Sequence, residues 1–169
     1  MLVYHPAFDL YHCVFRMLAL LNNMKSDTVE LEKLRVWDFY FLFPNEVAKH
    51  VRITSDLRKL RNVFKELENP YEEIPDVRSL FERMRPFQLT ALKCLSSYEI
   101  IDASFLSSHK IVYHKDKVPA ELLSKLENLS VNQENIIKLI LSPFNDLPLY
   151  GENGFKERTG LLDFRYDAN

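Results

Sequence analysis

Glycine is almost missing from this chain: three occur in 169 residues, Gly151, Gly154 and Gly160, all near the C-terminal end. A phosphate-cradling loop needs glycine where the backbone must approach its ligand closely. Neither G-x-G-x-x-G nor G-x-x-x-x-G-K-[ST] occurs, which excludes nucleotide binding by those routes. The nucleophile elbow G-x-S-x-G and the zinc-protease H-E-x-x-H are missing too. Cysteine is scarce, with only Cys13 and Cys94, so no disulfide framework is expected and a reducing cytoplasm fits. Long apolar runs are also lacking. The best candidate, residues 13–21, is interrupted by Arg16 and falls short of the roughly 20 residues that a bilayer crossing needs. The start shows no basic stretch leading into an apolar segment and a small-residue cleavage site, so no signal peptide is expected. Neither charge dominates: 22 Lys and Arg stand against 24 Asp and Glu, a net charge of −2. That balance argues against a protein that coats nucleic acid through its overall field, and leaves room for one basic face.

What the chain does have is apolar and aromatic mass. Hydrophobic residues make up 47% of it, enough for a real core in one domain or in a domain with a helical extension. Two stretches stand out, YHPAFDLYHCVFR at residues 4–16 and WDFYFLF at residues 37–43. The second surrounds one carboxylate, Asp38, with more apolar surface than a small amphipathic helix needs for its own core. That surface has to be covered, either by the rest of the chain or by a partner protein.

Periodicity reads as mostly helix. Pro6 can open a first helix, with Asp9 in its first turn. Phe8, Tyr11, Phe15 and Leu18 recur at helical spacing, as do Leu10, Val14, Met17 and Leu21 on the adjoining face. Only Asp9, His12 and Arg16 form a polar stripe, the pattern of a helix buried on several sides or lying in an interface. Asp27 and Glu30 offer a capping box for a second helix, and Pro44 ends it through its restriction on Phe43. A third helix is expected over residues 54–68, with Leu57, Leu60, Phe64 and Leu67 on one face and Arg58, Arg61 and Lys65 on another. Residues 69–75, NPYEEIP, read as a turn-rich linker. Asp76 caps a short helix that breaks at Pro86 before another helix carries Leu89, Leu92 and Leu95. YEIID at residues 98–102 and KIVYH at residues 110–114 form a candidate hairpin. Pro119 and Ser130 begin two closing helices, and residues 160–167 are a candidate extended tail.

The expected fold is therefore mainly α with a small β-hairpin: a winged-helix-like domain over residues 53–118, an N-terminal helical arm over residues 1–52, and C-terminal helices and a tail over residues 119–169. A winged helix docks its third helix into the DNA major groove. Here that helix offers Gln88, Thr90, Lys93 and Ser96, with no arginine placed for a bidentate contact to guanine.

Four groups of residues invite a functional reading. Asp9, His12 and Cys13, with His5 nearby, could share ligand chemistry on one helix face, and His5, Asp9 and His12 could serve a hydrolase. The alternative is a hydrogen-bonded helix start, and no metal or other cofactor is expected. Asp38 could be catalytic if burial raised its pKa, yet it lacks an acid–base partner, and pairing with Arg35 or Arg16 would satisfy it structurally. The stripe of Arg58, Arg61 and Lys65 could neutralise phosphates as a nucleic-acid-binding face, or be a solvated surface diluted by Glu66 and Glu68. The aromatic residues Phe8, Tyr11, Phe15, Trp37, Tyr40 and Phe41 are candidates for partner binding, against the plainer reading of core packing.

YHPAFDLYHCVFRML at residues 4–18 and LRVWDFYFLFP at residues 34–44 resemble the small middle component of bacterial three-component ABC ATPase systems, the kind exemplified by Lamassu-type antiphage defence. The resemblance implies an accessory subunit, encoded between an SMC-like or Rad50-like ABC ATPase and an effector that is often a nuclease. It implies no catalysis by the chain itself, and carries over no catalytic residue. The expected function is thus a non-enzymatic subunit bridging ATPase and effector in a cytoplasmic antiphage or anti-plasmid complex, touching DNA only through the assembled complex and no membrane. The alternative is a winged-helix DNA-binding transcriptional regulator, using Arg58, Arg61, Lys65 and the helix around Lys93.

Overall fold

The computed structural model describes residues 5–51, 58–67, 74–144 and 146–162. Pro6–Phe8 form one 3-10 turn, which the ring of His5 secures by accepting the Ala7 N–H at Nδ1, 3.2 Å away. Helix α1 (Leu10–Asn23) begins at Asp9, whose carboxylate accepts the His12 N–H at 2.8 Å and satisfies one of the orphan donors of the first turn. The helix therefore starts on an acidic cap rather than on Pro6.

The expected capping box of Asp27 and Glu30 does not form. Thr28–Glu30 is instead a strand, β1, followed at once by α2 (Leu31–Leu42), which has no side-chain cap. The free N–H of Leu31 is taken by the His109 carbonyl at 2.9 Å, and the Asp27 carbonyl accepts from Tyr113 N at 2.8 Å, so a distant segment does the work of a local cap. That segment continues into β2 (Lys110–Val112), which pairs antiparallel with β1 in the register Thr28↔Val112, Val29↔Ile111 and Glu30↔Lys110. The expected hairpin partner, YEIID, contributes only the bridge Ile101↔Tyr113. The chain is thus mainly helical with a small antiparallel sheet, but the sheet joins residues far apart in sequence.

Phe43 closes α2 before Pro44, as the restriction on residues preceding proline requires. A short helix that the sequence reading did not separate, α3 (Asn45–His50), follows. The helix α4 (Arg58–Glu66) is the described part of the helix expected over residues 54–68. Residues 54–57, most of the expected linker at 69–73, and the tail at 163–167 lie outside the described residues. Asp76 does cap the next helix, accepting from Ser79 N at 3.0 Å, but α5 (Val77–Ser97) runs through Pro86 without a break. Proline there removes one backbone donor. Pro86 is exposed, so water can take the carbonyl that loses its bond, while the stripe Phe81, Met84, Gln88, Ala91, Leu92 and Leu95 stays buried along the helix. Helix, broken helix and wing were expected; one long helix and a distant strand pair are found.

The remaining elements are α6 (Phe105–Ser108), α7 (Ala120–Glu127), α8 (Val131–Phe144) and α9 (Phe155–Thr159), with α7 and α8 starting where Pro119 and Ser130 indicated. Helix α2 is the hub: α1, α3, α5, α8 and β1 all pack on it, and α1 also lies along α5. The helices of residues 1–52 thus share one core with α5 and α8. Phe39 meets Phe43 at a ring-centroid distance of 5.1 Å and Phe81 edge-on at 5.8 Å, while Tyr40 meets Phe144 at 6.2 Å. No helix among the described residues is long and apolar enough to cross a membrane.

Candidate functional site

Because α2 is covered on all sides, every residue from Leu31 to Phe41 is buried, its four charged side chains included. Buried charges persist only when paired and hydrogen-bonded. Asp38 receives Arg16 Nε at 2.6 Å on Oδ1 and Arg16 Nη2 at 3.2 Å on Oδ2, and Gln88 Nε2 adds a third donor at 2.9 Å. Arg16 also reaches the Pro6 carbonyl at 3.1 Å, which ties the N-terminal turn to the same network. Arg35 donates to Gln88 Oε1 at 2.8 Å and to Glu32, which Arg85 contacts from α5 at 3.0 Å. Gln88 in turn donates to the Arg35 carbonyl. The Arg35 guanidinium lies over the Phe81 ring; burial pulls its pKa down, and the Glu32 carboxylate opposes that shift. Lys33 donates to the Leu147 carbonyl at 2.7 Å and sits over Trp37.

This network locks α1, α2 and α5 together. Asp38 has its partner in Arg16 and opens onto no described cleft. Gln88, offered by the sequence as a base-reading group, is fully buried and cannot reach a groove. Its role was invisible in sequence because both its partners lie some fifty positions away.

The six aromatic candidates divide. Trp37, Tyr40 and Phe41 are 1%, 0% and 7% exposed, so in this conformation the chain's own core occupies the surface that a partner would need. Burial also pushes the Tyr40 phenol pKa well up. Phe8 and Phe15 are half-buried, and Tyr11 is 65% exposed with Leu10 partly exposed beside it. Phe8 leans on Phe87 at 5.5 Å, with the Arg83 guanidinium 4.9 Å from its ring centre. The start of α1 therefore presents a small apolar surface, carried by Tyr11, on a rigid base.

The candidate ligand cluster on that helix does not assemble. Among the described residues no three His, Cys, Asp or Glu side chains converge as metal ligands. Cys13 is buried, and burial, reinforced by the Asp38 carboxylate, pushes its thiol pKa well up, so it stays protonated. His12 Nδ1 lies 2.9 Å from Asp9 Oδ1, an exposed pair beside the helix cap.

Arg58, Arg61 and Lys65 share one exposed face of α4, and that face closes on α3. Arg61 Nε donates to the Ala48 carbonyl at 3.1 Å, pinning the two helices. Between them lies an open cleft of about 640 Å³ whose lining adds Lys49 and the amides of Asn45 and Asn62 to the three basic residues. Lys49 also pairs with the buried Glu46 at 3.1 Å. Sequence reading missed Lys49 because α3 had not been separated from the end of α2. A smaller cleft of about 290 Å³ holds Ser96, Lys117 and the pair His114–Asp102, at 2.6 Å and well exposed to water.

No match was found among curated proteins or among solved structures. A family description does match, over residues 2–167: ABC-three component (ABC-3C) system Middle Component 5. The resemblance read from residues 4–44 is borne out and extends over nearly the whole chain. A match over nearly the whole chain shows that it belongs to the family of middle component 5 of ABC-three component systems.

Proposed function

We propose that this chain is a non-catalytic accessory subunit that bridges an SMC-like or Rad50-like ABC ATPase and a nuclease-type effector in a bacterial antiphage or anti-plasmid complex, working in the cytoplasm. The family match over residues 2–167 carries the reading. The contact surface is the start of α1, where Tyr11 stands out from the half-buried Phe8 and Phe15. A rigidly based, exposed tyrosine suits an interface anchor, since its ring brings large contact area at low entropic cost. Trp37, Tyr40 and Phe41 are buried in the chain's own core rather than touching the partner. DNA affinity at physiological salt belongs to the assembled complex.

Co-purification with the ATPase component tests the proposal. Wild-type chain should co-elute with the ATPase, and Tyr11→Glu should not, although its stability changes by no more than about 0.5 kcal/mol, as for other surface substitutions. Trp37→Ala should instead unfold the chain, costing about 3–5 kcal/mol. A Tyr11→Glu variant that still co-elutes would remove the α1 surface from the interface. Failure of the wild-type chain to associate with either companion component would sink the subunit reading itself.

A further inference from the structure

We propose that the cleft between α3 and α4 grips the phosphodiester backbone of duplex DNA without reading its bases. Four cations line it, Lys49 from α3 and Arg58, Arg61 and Lys65 from α4. Three of them follow helical spacing on one face, and the rise of 1.5 Å per residue sets Arg58 and Lys65 about 10 Å apart along the axis, room for successive phosphates. The fourth, Lys49, comes from the opposite wall, where the buried Glu46 carboxylate already holds its ammonium at 3.1 Å, so the three α4 cations carry the phosphate contact. In a chain of net charge −2, this concentration of positive charge makes a local site rather than an overall field.

The remaining lining explains the choice of ligand. The described lining is cationic and amide-bearing, the chemistry that meets phosphate and sugar oxygens rather than base faces. The amides of Asn45 and Asn62 add polar groups that can hydrogen-bond phosphate and sugar oxygens. Duplex DNA offers the denser line of charge, one per about 1.7 Å of axis, and phosphate contact is how a protein holds it without sequence information. Arg61 is already anchored to the Ala48 carbonyl, which holds its guanidinium at the cleft in advance of binding. The inference deepens the subunit reading by giving the complex a DNA contact on this chain. Its test uses the chain alone, so the two stand or fall separately.

Fluorescence anisotropy of a labelled duplex, titrated with the purified chain over a range of salt, tests the site. Three phosphate contacts, from Arg58, Arg61 and Lys65, predict a log–log slope of about −2.7, a loss of roughly 40-fold between about 50 and 200 mM salt. Arg58→Gln with Lys65→Gln should flatten the slope by about 1.8. Arg58 and Lys65 are exposed and make no ion pair with another described residue, so the double variant should keep the wild-type melting temperature. An Arg61→Lys variant supplies a second probe that keeps the charge while loosening the anchor. Duplexes of unrelated sequence should bind alike. Three results would overturn the site: no saturable binding at low salt, a slope unchanged in the folded double variant, or tighter binding of a single strand or of a glutamate-rich peptide than of the duplex.

Discussion

Arg16 and Asp38 form a buried, doubly hydrogen-bonded pair across α1 and α2, with Nε to Oδ1 at 2.6 Å and Nη2 to Oδ2 at 3.2 Å. The two helices that carry the family resemblance are held to each other by this pair, and Gln88 brings α5 into it. A charge pair that must be satisfied fixes their register.

Removing one partner leaves the other charged and buried. Asp38→Ala should therefore destabilise the chain by about 3–5 kcal/mol, and Arg16→Met by a similar amount. The double variant Arg16→Met with Asp38→Leu should cost less than the sum of the single changes, with a coupling energy of about 0.5–3 kcal/mol. Urea unfolding of the four proteins measures it. Additive losses would mean that the pair contributes no coupling.

Stability should fall on mild acidification through His5. Burial, and then the positive charges of Arg83 and Arg16, hold its pKa below the usual 6.5. The imidazole is neutral in the folded chain and takes up its proton more readily when unfolded. The stabilisation is fully present above pH 6.5 and is lost as pH falls through the depressed folded value. Protonation would also cost Nδ1 the Ala7 N–H bond. His5→Asn keeps an acceptor at that turn without titrating near neutrality. Melting temperatures at about pH 7.5 and 5.5 should differ more in the wild type than in His5→Asn, because His titrates within that range. Equal differences would exclude His5 as the source.

The two thiols should react very differently. Cys13 is buried, with its pKa pushed up, whereas Cys94 is half-buried near the end of α5. Only the thiolate is a nucleophile. In native protein an aromatic disulfide reagent should therefore modify Cys94 alone, with Cys13 reacting only after denaturation. Rapid reaction of both in the native state would show that α1 opens from α2 far more readily than its packing implies.

Much of the helical architecture was legible because its causes are local. The spacing of apolar residues in α1, the cap at Asp76, the starts after Pro119 and Ser130 and the stop before Pro44 follow from periodicity and backbone sterics within a few residues. The basic face of Arg58, Arg61 and Lys65 is legible for the same reason. The middle-component resemblance was also legible, in residues 4–44, and the family match covers residues 2–167.

Tertiary structure decided what depends on distant partners. Asp27 and Glu30 carry a helix-capping pattern, yet Thr28–Glu30 form β1 because β2 supplies backbone partners and the His109 carbonyl caps α2 in place of a side chain. Pro86 is a local helix breaker that the burial of one continuous stripe along α5 overrules. Asp38 could have paired with Arg35, but helix packing brought Arg16 and Gln88 to it and left Arg35 to Gln88 and Glu32. The same holds for the aromatic residues: the sequence shows how much apolar surface needs covering, while only the packing of α1, α5 and α8 around α2 determines that Trp37, Tyr40 and Phe41 are covered from within and Tyr11 is left outside. Hydrophobicity is a property of a residue; what covers it depends on the whole chain.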